Sequence, residues 1–109
     1  ISQKSFANLT QITKIDLQYQ KISHIEDNAF SNMPNLIEIN LTSNNLKLVK
    51  GSWFKNLKNL AELKLTFNVI SHLTRDNFQN MTSLITLYLN ENIISIVENE
   101  AFINLINLN

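Results

Sequence analysis

Cysteine is absent from the 109 residues, and glycine, proline and tryptophan occur once each. Without cysteine there is no disulfide framework, no thiolate metal site and no thiol nucleophile; in an ordinary domain this favours a reducing compartment. With so little glycine and proline, the chain must make its turns by another device. No run approaches the roughly eighteen apolar residues of a membrane span. The formal charge is zero and the nine basic residues form no cluster, which excludes an electrostatic surface for nucleic acid or anionic lipid. The opening "ISQKSF" lacks the basic start and apolar stretch of a signal peptide. G-x-S-x-G, a glycine-rich phosphate loop and H-E-x-x-H are all missing, so neither an enzyme nor a cofactor is expected. The length holds one domain and not two ordinary ones.

What is present is a strict period of 24 residues. Ile12, Leu36, Leu60, Leu84 and Leu108 set the frame. Counted from these, position 4 is Ile15, Ile39, Leu63 and Leu87, and position 6 is Leu17, Leu41, Leu65 and Leu89. Positions 11 and 14 are apolar in every copy, and position 19 is always Phe: Phe6, Phe30, Phe54, Phe78 and Phe102. Chance does not place five of six phenylalanines at one phase. Positions 4 and 6 alternate with polar neighbours, the period of a half-buried strand. A strand that recurs every 24 residues returns by a crossover and lies parallel to the one before it. The crossover is too short for a long helix, so a helical turn is expected near each Phe. Asn28, Ser52 and Asp76, at position 17, are suited to cap it. One unit cannot bury its inner face alone; stacked units share a core, and a right-handed solenoid follows.

The run L-x-x-L-x-L-x-x-N-x-L in these copies resembles the leucine-rich repeat. Its length with Phe at position 19 is similar to the "typical" subclass of animal extracellular proteins, Toll-like receptors among them. In secreted members the cysteines usually sit in end caps, so their absence says little about compartment. The resemblance implies an α/β repeat: a horseshoe with a parallel sheet on its concave face and short helical turns or loops on its convex face. Full repeats are expected at 12–35, 36–59, 60–83 and 84–107, with a partial repeat at 1–11 and the start of another at 108–109. The chain starts and stops inside repeats, which reads as an uncapped piece of a longer array stacking on its neighbours.

Asn44, Asn68 and Asn92 hold position 9, where an inward amide can satisfy backbone groups of a buried turn. The first copy has Gln20 instead, one methylene longer, which reaches those groups only if the turn bulges. His24 and His72 share position 13 but are two repeats apart, about 10 Å at ~4.8 Å per strand, too far for one metal ion. The single Trp53 falls at position 18, where other copies have Ala29, Asn77 and Ala101. It reads as a lateral cover for apolar edges or as a partner anchor.

Strand alternation places positions 3, 5, 7 and 8 on the open concave face. From these, Lys14, Asp16, Tyr19, Glu38, Asn40, Glu62, Lys64, Phe67, Tyr88 and Glu91 are the candidate partner-binding residues. Mixed charge with exposed aromatics suits a protein partner. Sequons occur at Asn8, Asn40 and Asn80, although 18 Asn and 16 Ser or Thr produce about that many by chance. Asn8 and Asn80 share a convex phase, whereas a glycan on Asn40 would obstruct the concave face. The expected function is recognition of a protein ligand or co-receptor by a secreted or membrane-anchored protein, without nucleic acid or direct membrane contact. The rivals are a structural spacer and an intracellular or microbial scaffold.

Overall fold

The computed structural model describes residues 1–6, 8–31 and 33–109. Its backbone is a rising coil whose turns, here called rungs, each contribute one short strand: β1 (Lys14–Asp16), β2 (Glu38–Asn40), β3 (Glu62–Lys64) and β5 (Thr86–Tyr88). These form one parallel sheet in the order β1-β2-β3-β5. The register runs Ile15↔Ile39↔Leu63↔Leu87 without slip. Any slip of one residue would turn the inward Ile and Leu column to solvent, so the 24-residue frame and the register enforce each other. Hydrogen bonds continue the pairing past the strands: Tyr19 N–H donates to Thr42 O, Ser43 N–H to Thr66 O and Phe67 N–H to Asn90 O. A second parallel pair, β4 (His72–Leu73) with β6 (Ile96–Val97), lies across the core.

The core is a stack of equivalent side chains. Ile39, Leu41, Leu63 and Leu65 are fully buried beneath the sheet, with Val49, Leu73, Phe30, Phe54 and Phe78 opposite. Rings of successive rungs stack: Phe6 on Phe30 at 5.4 Å, Phe30 on Phe54 at 6.0 Å, and Phe78 on Phe102 at 5.9 Å between centroids. No such pair joins Phe54 to Phe78 among the described residues. There Trp53 meets Phe54 edge-on at 5.9 Å. Trp53 is therefore no lateral cover and no partner anchor: it is 2% exposed and belongs to the core.

The convex side also departs from expectation. Among the described residues two rungs carry a 3₁₀ turn, Gly51–Phe54 and Arg75–Phe78, and the residues before them are Lys50 and Thr74. Ser52 and Asp76 lie inside these turns rather than capping them. Asn77 takes the capping part, its Oδ1 accepting from Thr74 N–H at 2.6 Å. In the other two rungs, Asn28 and Glu100 stand at the same position with φ of 60° and 65°, and a left-handed residue interrupts a 3₁₀ helix. The single glycine sits where two rungs come closest: a Cβ on Gly51 would lie 2.6 Å from Asp76 O.

Candidate interaction surface

The turn that ends each strand sets the edge of the concave face, and the asparagines hold that turn. Asn68 Nδ2 donates to Leu65 O of its own rung and to Leu41 O of the preceding one, while its Oδ1 accepts from Leu46 N–H. Asn44 makes the same bonds with Leu41, Leu17 and Ile22, and Asn92 with Leu89, Leu65 and Ile70. Each amide thus reaches back by one rung. Gln20 does not imitate it: its Nε2 turns outward to Gln18 O at 3.2 Å. Its rung has no earlier strand in the structure to supply the other partners. The turn there closes with Lys21 at φ 56°, a left-handed backbone that Asn45, Val69 and Ile93 do not share.

A second ladder escaped the sequence reading. Asn35, Asn59 and Asn107 each donate from Nδ2 to a carbonyl of the rung before: Thr10 O, Pro34 O and Thr82 O, at 2.8–3.1 Å. Ser83, at the same phase, donates to Leu60 O at 2.7 Å. Polar residues with short hydrogen-bonding side chains at position 24 were the available signal. They tie the loops entering the strands as the first ladder ties the loops leaving them.

On the concave face itself the charges are largely spent on one another. Glu38 and Glu62 are directly opposed across β2 and β3, an arrangement that repels. Lys64 Nζ sits between them at 2.9 Å from Glu38 and 3.0 Å from Glu62, and Lys14 approaches Glu38 at 3.4 Å. The hydrogen bond from Lys64 holds the Glu38 carboxyl below its usual range, and the same two glutamates push the Lys64 ammonium up. Asp16 accepts from Gln18 through both oxygens. Asn40, expected to project from this face, is 8% exposed. Its short side chain folds back so that Oδ1 accepts from Thr42 N–H at 3.0 Å, a local bond favoured by Asn. It offers a partner little area.

The aromatics are what remains open. Tyr19 is 72% exposed, Phe67 56% and Tyr88 41%. Tyr19, Ser43, Phe67 and Glu91 occupy one phase, and all four have φ between 55° and 58°. That conformation is unfavourable for residues other than glycine, by roughly 1–2 kcal/mol each. It recurs because the strand must turn sharply into the Asn-held loop, and it swings the side chain out at the sheet's edge. Tyr19 and Phe67 thus stand on this rim with Glu91, while Tyr88, paired with Lys64 in the register, rises from the sheet beside the bed of Lys14, Glu38, Glu62 and Lys64.

Away from the four-stranded sheet, ion pairs link rung to rung, Arg75 to Glu100 at 3.1 Å and Lys50 to Asp27 at 3.6 Å, and His72 Nε2 lies 3.3 Å from Glu98 Oε1. A hydrogen bond from Ser52, then Lys50, holds the exposed Asp27 carboxyl below its ordinary value. Among the described residues no group of three or more His, Asp or Glu is placed to hold a metal ion. Nor, among the described residues, is any helix long and apolar enough to cross a membrane. Of the sequons outside the sheet, Asn8 and Asn80 are both exposed, and Asn80 Nδ2 donates to Gly51 O at 3.2 Å.

A right-handed stack of parallel strands tied by position-9 asparagines defines a leucine-rich-repeat solenoid. The family model for the leucine rich repeat matches residues 1–46, 34–92 and 58–109, so the chain belongs to that family. None of the curated proteins matches it. Among solved structures it is similar to a chain of the glycosylated Toll–Spatzle complex, described as a molecular hub in Drosophila development and innate immunity. The TM-score there is 0.86 at 28% identity, covering 93% of this chain and 14% of that one. A second structure of that complex gives a TM-score of 0.68 at 28% identity, covering 73% of this chain and 11% of that one. The leucine-rich repeat domain of APL1B aligns at a TM-score of 0.84 and 23% identity, over 99% of this chain and 32% of that one, a likeness of fold. The chain spans a third or less of each neighbour's length.

Proposed function

We propose that this chain is a non-catalytic protein-recognition segment of an extracellular or membrane-anchored leucine-rich-repeat protein of the "typical" subclass, an innate-immune or adhesion receptor ectodomain. The observation that carries it is the set of exposed aromatics: Tyr19 and Phe67 at the rim and Tyr88 in the sheet stand open beside a bed of mutually paired charges. Exposed aromatics on a rigid sheet anchor protein partners, and the charges beside them already satisfy one another. The likeness to a chain of the glycosylated Toll–Spatzle complex, described as a molecular hub in development and innate immunity, supports the same reading.

A photo-crosslinking residue placed at Phe67 or Tyr88 on the surface of an expressing cell tests it. One protein partner captured from both positions, and not from the convex position Lys58, is the expected result. No adduct from either position would favour the spacer reading. Secretion has its own test. Passage through the secretory pathway should add glycans at Asn8 and Asn80, removable singly by Asn→Gln changes, and none at the buried Asn40. A glycan on Asn40, read by intact mass, would contradict the packing described above.

A further inference from the structure

On the flank of the solenoid where loops enter the strands, the second asparagine ladder borders a groove of about 580 Å³. Its walls are Gln11 and Thr13 before β1, Asn35 and Ile37 before β2, and Asn59 before β3. None of the five is charged, and all are exposed. Asn35 and Asn59 spend only Nδ2 on the ladder, donating to Thr10 O and Pro34 O. That tie fixes each carboxamide and leaves its Oδ1 without a partner among the described residues. Thr13 engages its carbonyl, with Ile37 N–H and Glu38 N–H, and neither its hydroxyl nor the Gln11 amide has a partner among the described residues. The two asparagines hold one phase of adjacent rungs, so their Oδ1 acceptors repeat at the strand spacing of about 4.8 Å. Beside them the exposed Ile37 gives the groove an apolar patch.

Fixed acceptors, a hydroxyl and an open amide, with no charge among them, select a neutral ligand that both donates and accepts. A charged ligand would give up its water there and meet no counter-charge, and an apolar one would leave polar groups unpaired. An extended peptide presents N–H groups on one side only every ~6.6 Å, out of step with the acceptor spacing. Sugar hydroxyls rotate to suit their partners, and the C–H face of a sugar ring suits Ile37. We propose that this groove binds a neutral saccharide. Its hydroxyls donate to Asn35 and Asn59 Oδ1 and exchange hydrogen bonds with Thr13 and Gln11. At 580 Å³ the space is within the usual range for small-molecule sites, about 300–1,000 Å³. One source of such a ligand lies close. The sequon Asn8–Thr10 runs directly into Gln11, and Thr10 O accepts from Asn35 Nδ2 at 3.0 Å. A glycan on Asn8 therefore starts three residues from the groove; a glycan of another molecule is the other source. The groove is separate from the exposed aromatics and stands or falls independently of them.

The unglycosylated chain, labelled for nitrogen NMR and titrated with N,N′-diacetylchitobiose, tests the site, with acetyl-dialanine amide as the peptide comparator. The disaccharide should shift the side-chain amide signals of Asn35 and Asn59 saturably and leave those of Asn44 and Asn68 in place. Thr13→Val keeps the shape and removes the hydroxyl, and should weaken binding about three- to tenfold, the worth of one hydrogen bond. Thr42→Val, at the concave face, should leave affinity unchanged. The chain made in a secretory host separates the two sources. Signals already at their bound positions, and released by Asn8→Gln, assign the groove to the chain's own glycan. Signals that still move with free disaccharide assign it to a glycan on another molecule. No saturable shift in the unglycosylated chain, equal binding of the peptide, or undiminished affinity in Thr13→Val would overturn the proposal.

Discussion

The turn at Gln20 and the turn at Asn68 occupy the same place in the repeat and are built differently. Asn68 is buried and bonds two rungs together through three backbone groups. Gln20 is exposed, its side-chain amide bonds only within its own turn while its backbone N–H donates to Asn44 Oδ1 of the next rung, and Lys21 closes the loop in a left-handed conformation. Yet Ile15 beneath the first strand is buried like Ile39 and Leu63, and the strand pairing is in register. The strand and the ring stack therefore make a rung, and the asparagine makes the joint between rungs.

The largest way to break that comparison is to attack what both turns share. Phe54→Ala removes a fully buried ring from the stack and should cost roughly 3–5 kcal/mol, read by denaturant unfolding. A loss near that of a surface change would mean that the stack does not define the rung. The next test separates the turns. Asn68→Ala strands buried backbone groups and should cost roughly 1–3 kcal/mol. Gln20→Ala should change stability by less than about 0.5 kcal/mol, as surface substitutions do. Equal losses would refute the division into rung and joint.

A smaller effect sharpens the picture on the concave face. Lys64→Met leaves Glu38 and Glu62 opposed without the ammonium between them, and should cost about 1 kcal/mol at neutral pH. The sign of its pH dependence follows from the paired carboxyl. Glu38 has its folded-state value held below the ordinary 4.5, chiefly by its hydrogen bond to Lys64. Its contribution is present above that ordinary value and fades as pH falls through the lowered one. The gap between parent and variant should therefore close in acid, measured by unfolding from pH 7 to pH 3. On the lysine side, whose value is raised, stability is lost as pH climbs through the alkaline folded-state value. The smallest effect lies in the odd turn: Lys21→Gly relieves a left-handed residue and should gain a few tenths of a kcal/mol. Val69→Gly, at the equivalent position without that strain, should lose about 0.5–1 kcal/mol.

The periodic part of the molecule was legible in the sequence because a column of like residues declares its own environment. Ile15 to Leu87, the five phenylalanines and the position-9 asparagines could be placed from spacing alone. Residues that differ from their column could not. Trp53 follows Ala29 and precedes Asn77 in its column, and only the packed rungs show that the core opens to admit an indole. Asn40 obeys strand alternation, yet a side chain of its length can turn back to a backbone N–H two residues on. Helical turns at the Phe were foreseen in every rung and found in two, because Asn28 and Glu100 adopt backbone angles that spacing does not reveal. Of the candidate surface, the aromatic rim was visible as residue types, while the mutual pairing of Lys64 with both glutamates required the register.

The backward reach of the asparagines makes the array a modular text that can be edited in whole words. Asn68 holds Leu41 O and Leu46 N–H, and Asn44 holds Leu17 O and Ile22 N–H. Excise residues 36–59 and Asn68 meets Leu17 and Ile22, the same atoms in the same places. Lengths that change by 24 residues preserve these joints, so a gene for such a chain can grow or shrink by copying without relearning how to fold.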